Sequence, residues 1–237
     1  MKQKNFSPEF KFYQLFPSIF LVEIDGNKEL AYTFLRVQEF YESANPKIQG
    51  KKFTFKEYEE WYCTQSKDGT FSYGEDWKGF NVPYSVISEC YSINDERLPQ
   101  DLFFLELCEK AINLSSNKFY LLGVRKGDVK TLDHEIAHGL FSTNEEYNKL
   151  MTNLVKKLPK KVFNYLTNYL SEIGYSKNVH IDEIQAYMST GLRIDMDHNL
   201  LNNYMNSFEE VFKNFVKDFD VKNIENYEVK YKKNKIK

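Results

Sequence analysis

The stretch from Lys118 to Leu140 constrains the fold more than any other part of the chain. Phe119-Tyr120-Leu121-Leu122-Gly123-Val124 is an apolar, β-prone run, and the strand it predicts over Lys118 to Arg125 stops at Gly127-Asp128. Directly after it, Leu132, Ile136 and Leu140 recur every four residues, the spacing of a helix with one apolar stripe. Asp128 is placed to cap that helix. His134 and His138 lie four apart on it, so their rings leave the same face, with Glu135 beside the first of them.

The remaining elements are mostly helical. Ile19 to Ile24 reads as a strand ending in the turn Asp25-Gly26. A helix is expected from Lys28 to Glu42, where Leu30, Phe34, Val37 and Tyr41 recur at three or four residue intervals. Glu39, Tyr41 and Glu42 read as its solvated side, as do Lys156 and Lys157 on a later helix. Thr54-Phe55-Lys56-Glu57 has the capping-box pattern and opens a second helix. Residues 65 to 83 form an aromatic-rich loop or hairpin, and Tyr73 to Pro83 suits either a substrate wall or core packing. Helices follow from Tyr84 and across Asp101 to Asn113. After the histidine-bearing helix, Thr143-Asn144-Glu145-Glu146 reads as a second capping box, then come helices at Lys161 to Ile173, Asp182 to Thr190 and Leu200 to Asp218. The expected fold is a single α+β domain, predominantly helical with a small sheet. Residues 1–117 would form an N-terminal lobe with the aromatic loop, 118–220 the metal-site helices, and 221–237 a charged tail.

Composition excludes several functions. A net charge of -2 and a pI near 6.2 provide no basic field, so no nucleic-acid partner is expected. Cys63, Cys90 and Cys108 lack the paired spacings of a zinc ribbon or a disulfide framework and read as thiols of a reducing compartment. No run approaches 18 apolar residues, so a soluble chain without a membrane span is expected. After Met1-Lys2-Gln3-Lys4 the apolar stretch is broken by Ser7, Pro8, Glu9 and Lys11, which leaves no signal-peptide core. A cytoplasmic location follows as the expectation, with delivery by a non-classical route left open. Composition does not reach oligomeric state.

Two imidazoles on one helix face suit a Zn²⁺ ion, and a Glu next to the first can take a proton from water. This is why the spacing His-Glu-x-x-His recurs in hydrolases. With four histidines in 237 residues, chance is a weak explanation; a structural histidine pair is the plain alternative. A catalytic zinc takes three protein ligands. No His follows His138 until His180, so a carboxylate is the expected third ligand, with Glu183 preferred over Asp182 because Ile184 and Tyr187 face the core. His180, Tyr187, Tyr175 and Tyr147 are candidate donors to a developing oxyanion. The strand at Phe119 to Arg125 could be an edge strand that receives an extended peptide, or an interior one.

On these residues, roughly 118 to 191, the chain resembles a gluzincin, the zinc metallopeptidase class with a Glu on a later helix as third ligand. The small residue usual three positions after that Glu is present as Ala186. The acid that thermolysin-like families often carry four positions after it is replaced by Tyr187, so Asp133 or Asp182 would have to orient a histidine. The resemblance implies a zincin-like fold and one zinc ion held by His134, His138 and Glu183. It also implies Glu135 as base, with Tyr187 and His180 as further catalytic groups, acting on a peptide or protein substrate. Two other readings stay open: a zincin-like metal-binding protein without peptidase activity, and a non-haem iron site built from two histidines and one carboxylate.

Overall fold

A mixed four-stranded sheet separates the helices into two layers. Its strands are β1 (Phe10–Phe16), β2 (Ile19–Ile24), β3 (Gly79–Pro83) and β4 (Tyr120–Arg125), in the spatial order β1-β2-β4-β3. The first layer holds α1 (Asn27–Glu42), α2 (Phe55–Gln65), α3 (Tyr73–Asp76), α4 (Tyr84–Ile93) and α5 (Pro99–Ser115). The second holds α6 (Val129–Thr143), α7 (Glu145–Lys157), α8 (Lys160–Glu172), α9 (His180–Thr190) and α10 (His198–Val216). The computed structural model describes residues 6–115 and 118–217; the tail at 221–237 and the Met1 to Lys4 start lie outside the described residues. The α+β, mainly helical class expected from the sequence is the one observed. No helix among the described residues is long and apolar enough to cross a membrane.

Strand residues alternate between the two layers, as the pleat requires. Phe20, Val22 and Ile24 of β2, with Leu121 of β4, pack into the core beneath α1, α4 and α5. Ile19 and Leu21 of β2, with Tyr120, Leu122 and Val124 of β4, pack into the core beneath α6 to α10. Burial on both faces explains why β2 and β4 read as continuous apolar runs. Two glycines let helices come close. A Cβ on Gly123 would stand 2.3 Å from the Phe34 ring of α1, and one on Gly139 3.1 Å from Ile19.

The structure selects the interior reading of β4 and corrects other expectations. β4 is an interior strand, parallel to β2 and antiparallel to β3, so it offers no edge to a peptide. Among the described residues the outer strands are β1 and β3. β3 had read as loop because Gly79 and Pro83 bracket only three other residues; an edge strand tolerates both. β1 went unread because a bulge between Gln14 and Phe16 breaks its alternation, leaving Phe12 and Leu15 as its buried residues. At the start of α7 the cap is Asn144, whose Oδ1 accepts from the Tyr147 N–H, while Thr143 stays in α6 and donates to the Gly139 carbonyl. The capping box at Thr54 and Glu57 and the Asp128 cap form as expected.

Candidate metal centre

His134 and His138 leave α6 toward α9, the helix against which α6 packs most closely. There they meet Glu183 in the first turn of α9. The two Nε2 atoms are 3.2 Å apart, and Glu183 carboxylate oxygens lie 3.8 Å from His134 Nε2 and 3.6 Å from His138 Nε2. Two donors about 2.0–2.1 Å from one tetrahedral ion stand about 3.3 Å apart, so these atoms are spaced to close around a single cation. All three donor atoms lie within 4.8 Å of one another. Glu183 is 3 % exposed, and its Oε2 is buried without a hydrogen-bond partner. A bare buried acceptor is costly, and a cation removes that cost. The residues present therefore fit a metal ion.

The tautomers follow from the surroundings. His138 Nδ1 is 2.8 Å from Asp182 Oδ1, so Nδ1–H donates there and Nε2 is the ring nitrogen turned to the cluster. Asp182 is itself held by the Gln185 amide at 2.9 Å, and Tyr147 donates to the Gln185 carbonyl oxygen at 2.9 Å. On the other ring, His134 Nδ1 faces Thr190 Oγ1 at 3.4 Å, and Tyr187 packs over it with ring centroids 4.6 Å apart. Burial depresses His138, but Asp182 and Glu183 beside it hold it well above the usual histidine range. Burial, His138 and Arg193 hold His134 well below that range. Asp182 and Glu183, neighbours in sequence, thus diverge: Glu183 faces both Nε2 atoms, and Asp182 orients His138 from behind. Asp182→Ala is expected to weaken zinc binding by about 10–100-fold, measured by competition with a chromophoric chelator. Unchanged affinity would show that packing alone orients His138.

Glu135 projects beside this cluster and is 5 % exposed. Its Oε2 accepts from Asn81 Nδ2 at 2.7 Å, and Asn81 Oδ1 accepts from the Tyr120 hydroxyl at 2.5 Å. Burial pushes the Glu135 carboxyl up to about 7, with His138 and the Asn81 amide drawing it back. The antiparallel edge strand β3 therefore carries the group that positions Glu135. It also carries the space Glu135 occupies, since a Cβ on Gly79 would lie 2.1 Å from Glu135 Oε1.

His134 and Glu135 line a cleft of about 670 Å³ whose other walls are Trp77 to Gly79, Lys130, Thr131, Tyr175, Tyr187 and residues 190–195. That volume suits a segment of substrate. Tyr175 and Tyr187 reach it; two other candidate donors do not. His180 is buried with Nε2 donating to the Tyr175 carbonyl at 3.1 Å, and Tyr147 is committed to Gln185. The aromatic loop divides its roles: Tyr73 is core, while Trp77 is 39 % exposed and lines the cleft.

Sequence reasoning missed Asn81, Gly79, Arg193 and Glu42. Arg193 follows the α9 cap Gly191, lines the cleft near Tyr187 and brings a fixed positive charge. Glu39 and Glu42 are not on a solvated face as expected. Glu39 is buried, and burial raises it to about 7 against the hydroxyls of Tyr73, Tyr58 and Ser43. Glu42 sits near the cluster, raised well above the usual range by burial and then by Glu183. No local signal separates such residues from an exposed helix face, because the groups that bury them come from distant elements. Compared with known protein families, with curated proteins and with solved structures, the chain shows no match.

Proposed function

We propose that this protein is a zinc-dependent peptidase with His134, His138 and Glu183 as metal ligands and Glu135 as general base. The observation that carries the reading is the buried Glu183 carboxylate, its Oε2 without a hydrogen bond, facing the Nε2 atoms of His134 and His138 beside a cleft that His134 and Glu135 line. A zinc ion held by that donor set supplies Lewis acidity toward a carbonyl and acidifies water. Glu135 takes the proton of the attacking water and delivers it to the leaving amine, a transfer that its raised pKa favours in both directions. Asn81 fixes the Glu135 carboxylate. Tyr175, Tyr187 and Arg193 line the cleft where donors to an oxyanion are needed. β3, the outer strand on the side that carries Asn81 and Gly79, is the strand beside which an extended peptide would lie.

Metal analysis of the purified protein, followed by incubation with mixed peptide libraries, tests the reading. One zinc per chain and cleavage lost on chelation are expected. Absence of zinc overturns the reading, and stoichiometric iron points instead to the oxygen chemistry that the same two-histidine, one-carboxylate set also suits.

Gly79→Ala separates positioning of Glu135 from metal binding. The added methyl displaces the Glu135 carboxylate, and a displacement of that size is expected to lower turnover on the order of 10²-fold with zinc content unchanged. Equal loss of zinc and activity would instead mean that β3 supports the whole centre.

A further inference from the structure

A second cavity, of about 150 Å³, lies beside the cleft. Tyr58, Trp61 and Tyr62 of α2 form much of its wall. Trp77 and Tyr175 complete it and also line the cleft, so the two hollows share a partition. The chain has two tryptophans, and both are here.

α1 contributes hydrogen-bond acceptors to it. Gln38, Glu39 and Glu42 line one side; Gln38 Nε2 donates to Glu42 Oε2 at 2.8 Å, and Gln38 Oε1 is buried without a partner. No lysine or arginine is among the lining residues. Aromatic faces attract cations, and long aliphatic stems of basic side chains pack on apolar walls while their heads seek acceptors. A cavity of about 150 Å³ takes a group the size of a benzene ring, which an apolar side chain would also fill. An apolar occupant, however, leaves the buried Gln38 Oε1 without a donor, at a cost that selects against it.

We propose that this cavity is a specificity subsite for the side chain of a lysine or arginine of the substrate, its stem against the aromatic walls and its cation at the Gln38, Glu39 and Glu42 acceptors. The assignment rests on the peptidase reading, because the shared wall of Trp77 and Tyr175 brings this side chain to the cleft where the peptide would lie.

Both tryptophans line the cavity, so intrinsic fluorescence reports its occupancy without turnover. The zinc-loaded Glu135→Gln protein is titrated with amidated Ala-Ala-X-Ala peptides carrying Lys, Arg, norleucine or Phe at X. The Lys and Arg peptides are expected to saturate the signal at about ten-fold lower concentration than the norleucine and Phe peptides. Glu39→Gln should reduce that preference. Since Glu39 is buried, Trp77→Leu at a partly exposed position provides a second variant, with about five-fold weaker binding of the basic peptides expected and Trp61 as reporter. Equal or tighter binding of norleucine or Phe overturns the subsite, as does the absence of a saturable signal with any peptide. If the wild-type zinc protein binds the lysine peptide through this signal but cleaves no peptide, the subsite stands and the peptidase reading falls. If it cleaves without preference for basic residues, the reverse holds.

Discussion

Glu135→Gln is expected to retain one zinc ion per chain while peptide hydrolysis falls by about 10²–10⁴-fold. The substitution is nearly isosteric, and its amide oxygen can still accept from Asn81, which now holds the carboxylate at 2.7 Å. The three proposed metal donors are untouched, since His134 and His138 face Glu183 through their Nε2 atoms. An amide cannot take a proton from water, so only the proton-transfer step is removed. Glu183→Gln should behave differently, losing zinc and activity together, because it replaces a charged ligand. Zinc content by mass spectrometry and single-turnover cleavage separate the two variants. Hydrolysis retained in Glu135→Gln would reject the mechanism, whatever the metal content.

The largest expected effect on stability belongs to a buried ion pair between α1 and α5. Arg36 of α1 is buried and forms a bidentate pair with Asp101 of α5, from Nε to Oδ1 at 2.7 Å and from Nη2 to Oδ2 at 3.0 Å. It also donates to Glu96 at 2.7 Å and to the Phe53 carbonyl at 3.1 Å. Asp101 accepts in addition from the Leu98 amide and the Tyr91 hydroxyl. Asp101→Ala strands a buried guanidinium with Glu96 as its one remaining acid and is expected to cost about 3–5 kcal/mol in urea unfolding. The paired replacement Arg36→Met with Asp101→Leu should cost much less, because it removes both charges from the core and leaves neither unpaired. If the single and double variants are equally destabilised, packing rather than charge holds α1 to α5. Because α1 also carries Glu39 and Glu42, loosening it should weaken the aromatic cavity before it weakens zinc binding.

Elements with strong periodicity were legible in the sequence. β2 and β4 stand where apolar runs predicted them, and α1, α2 and α6 start within one residue of the positions that caps and spacing indicated. β1 and β3 were not, since a bulge spoils the alternation of one, and Gly79 and Pro83 give the other the composition of a turn. Both are edge strands, where pairing on a single side tolerates irregular sequence.

At the candidate site the division is similar. His134, Glu135 and His138 could be read from one helix because i, i+4 spacing is a local property of the backbone. Glu183 could be proposed from its place on a later helix, but its distinction from Asp182 is a matter of which way each side chain points once α9 packs on α6. Asn81, Arg193 and Glu42 are separated from the histidines by dozens of residues and belong to no sequence pattern. Helical periodicity and caps act over a few residues and are written in the chain itself. Burial, orientation and the pairing of charges arise only when distant segments share one low-dielectric space, and here that space was set by the packing of two helical layers on a small sheet.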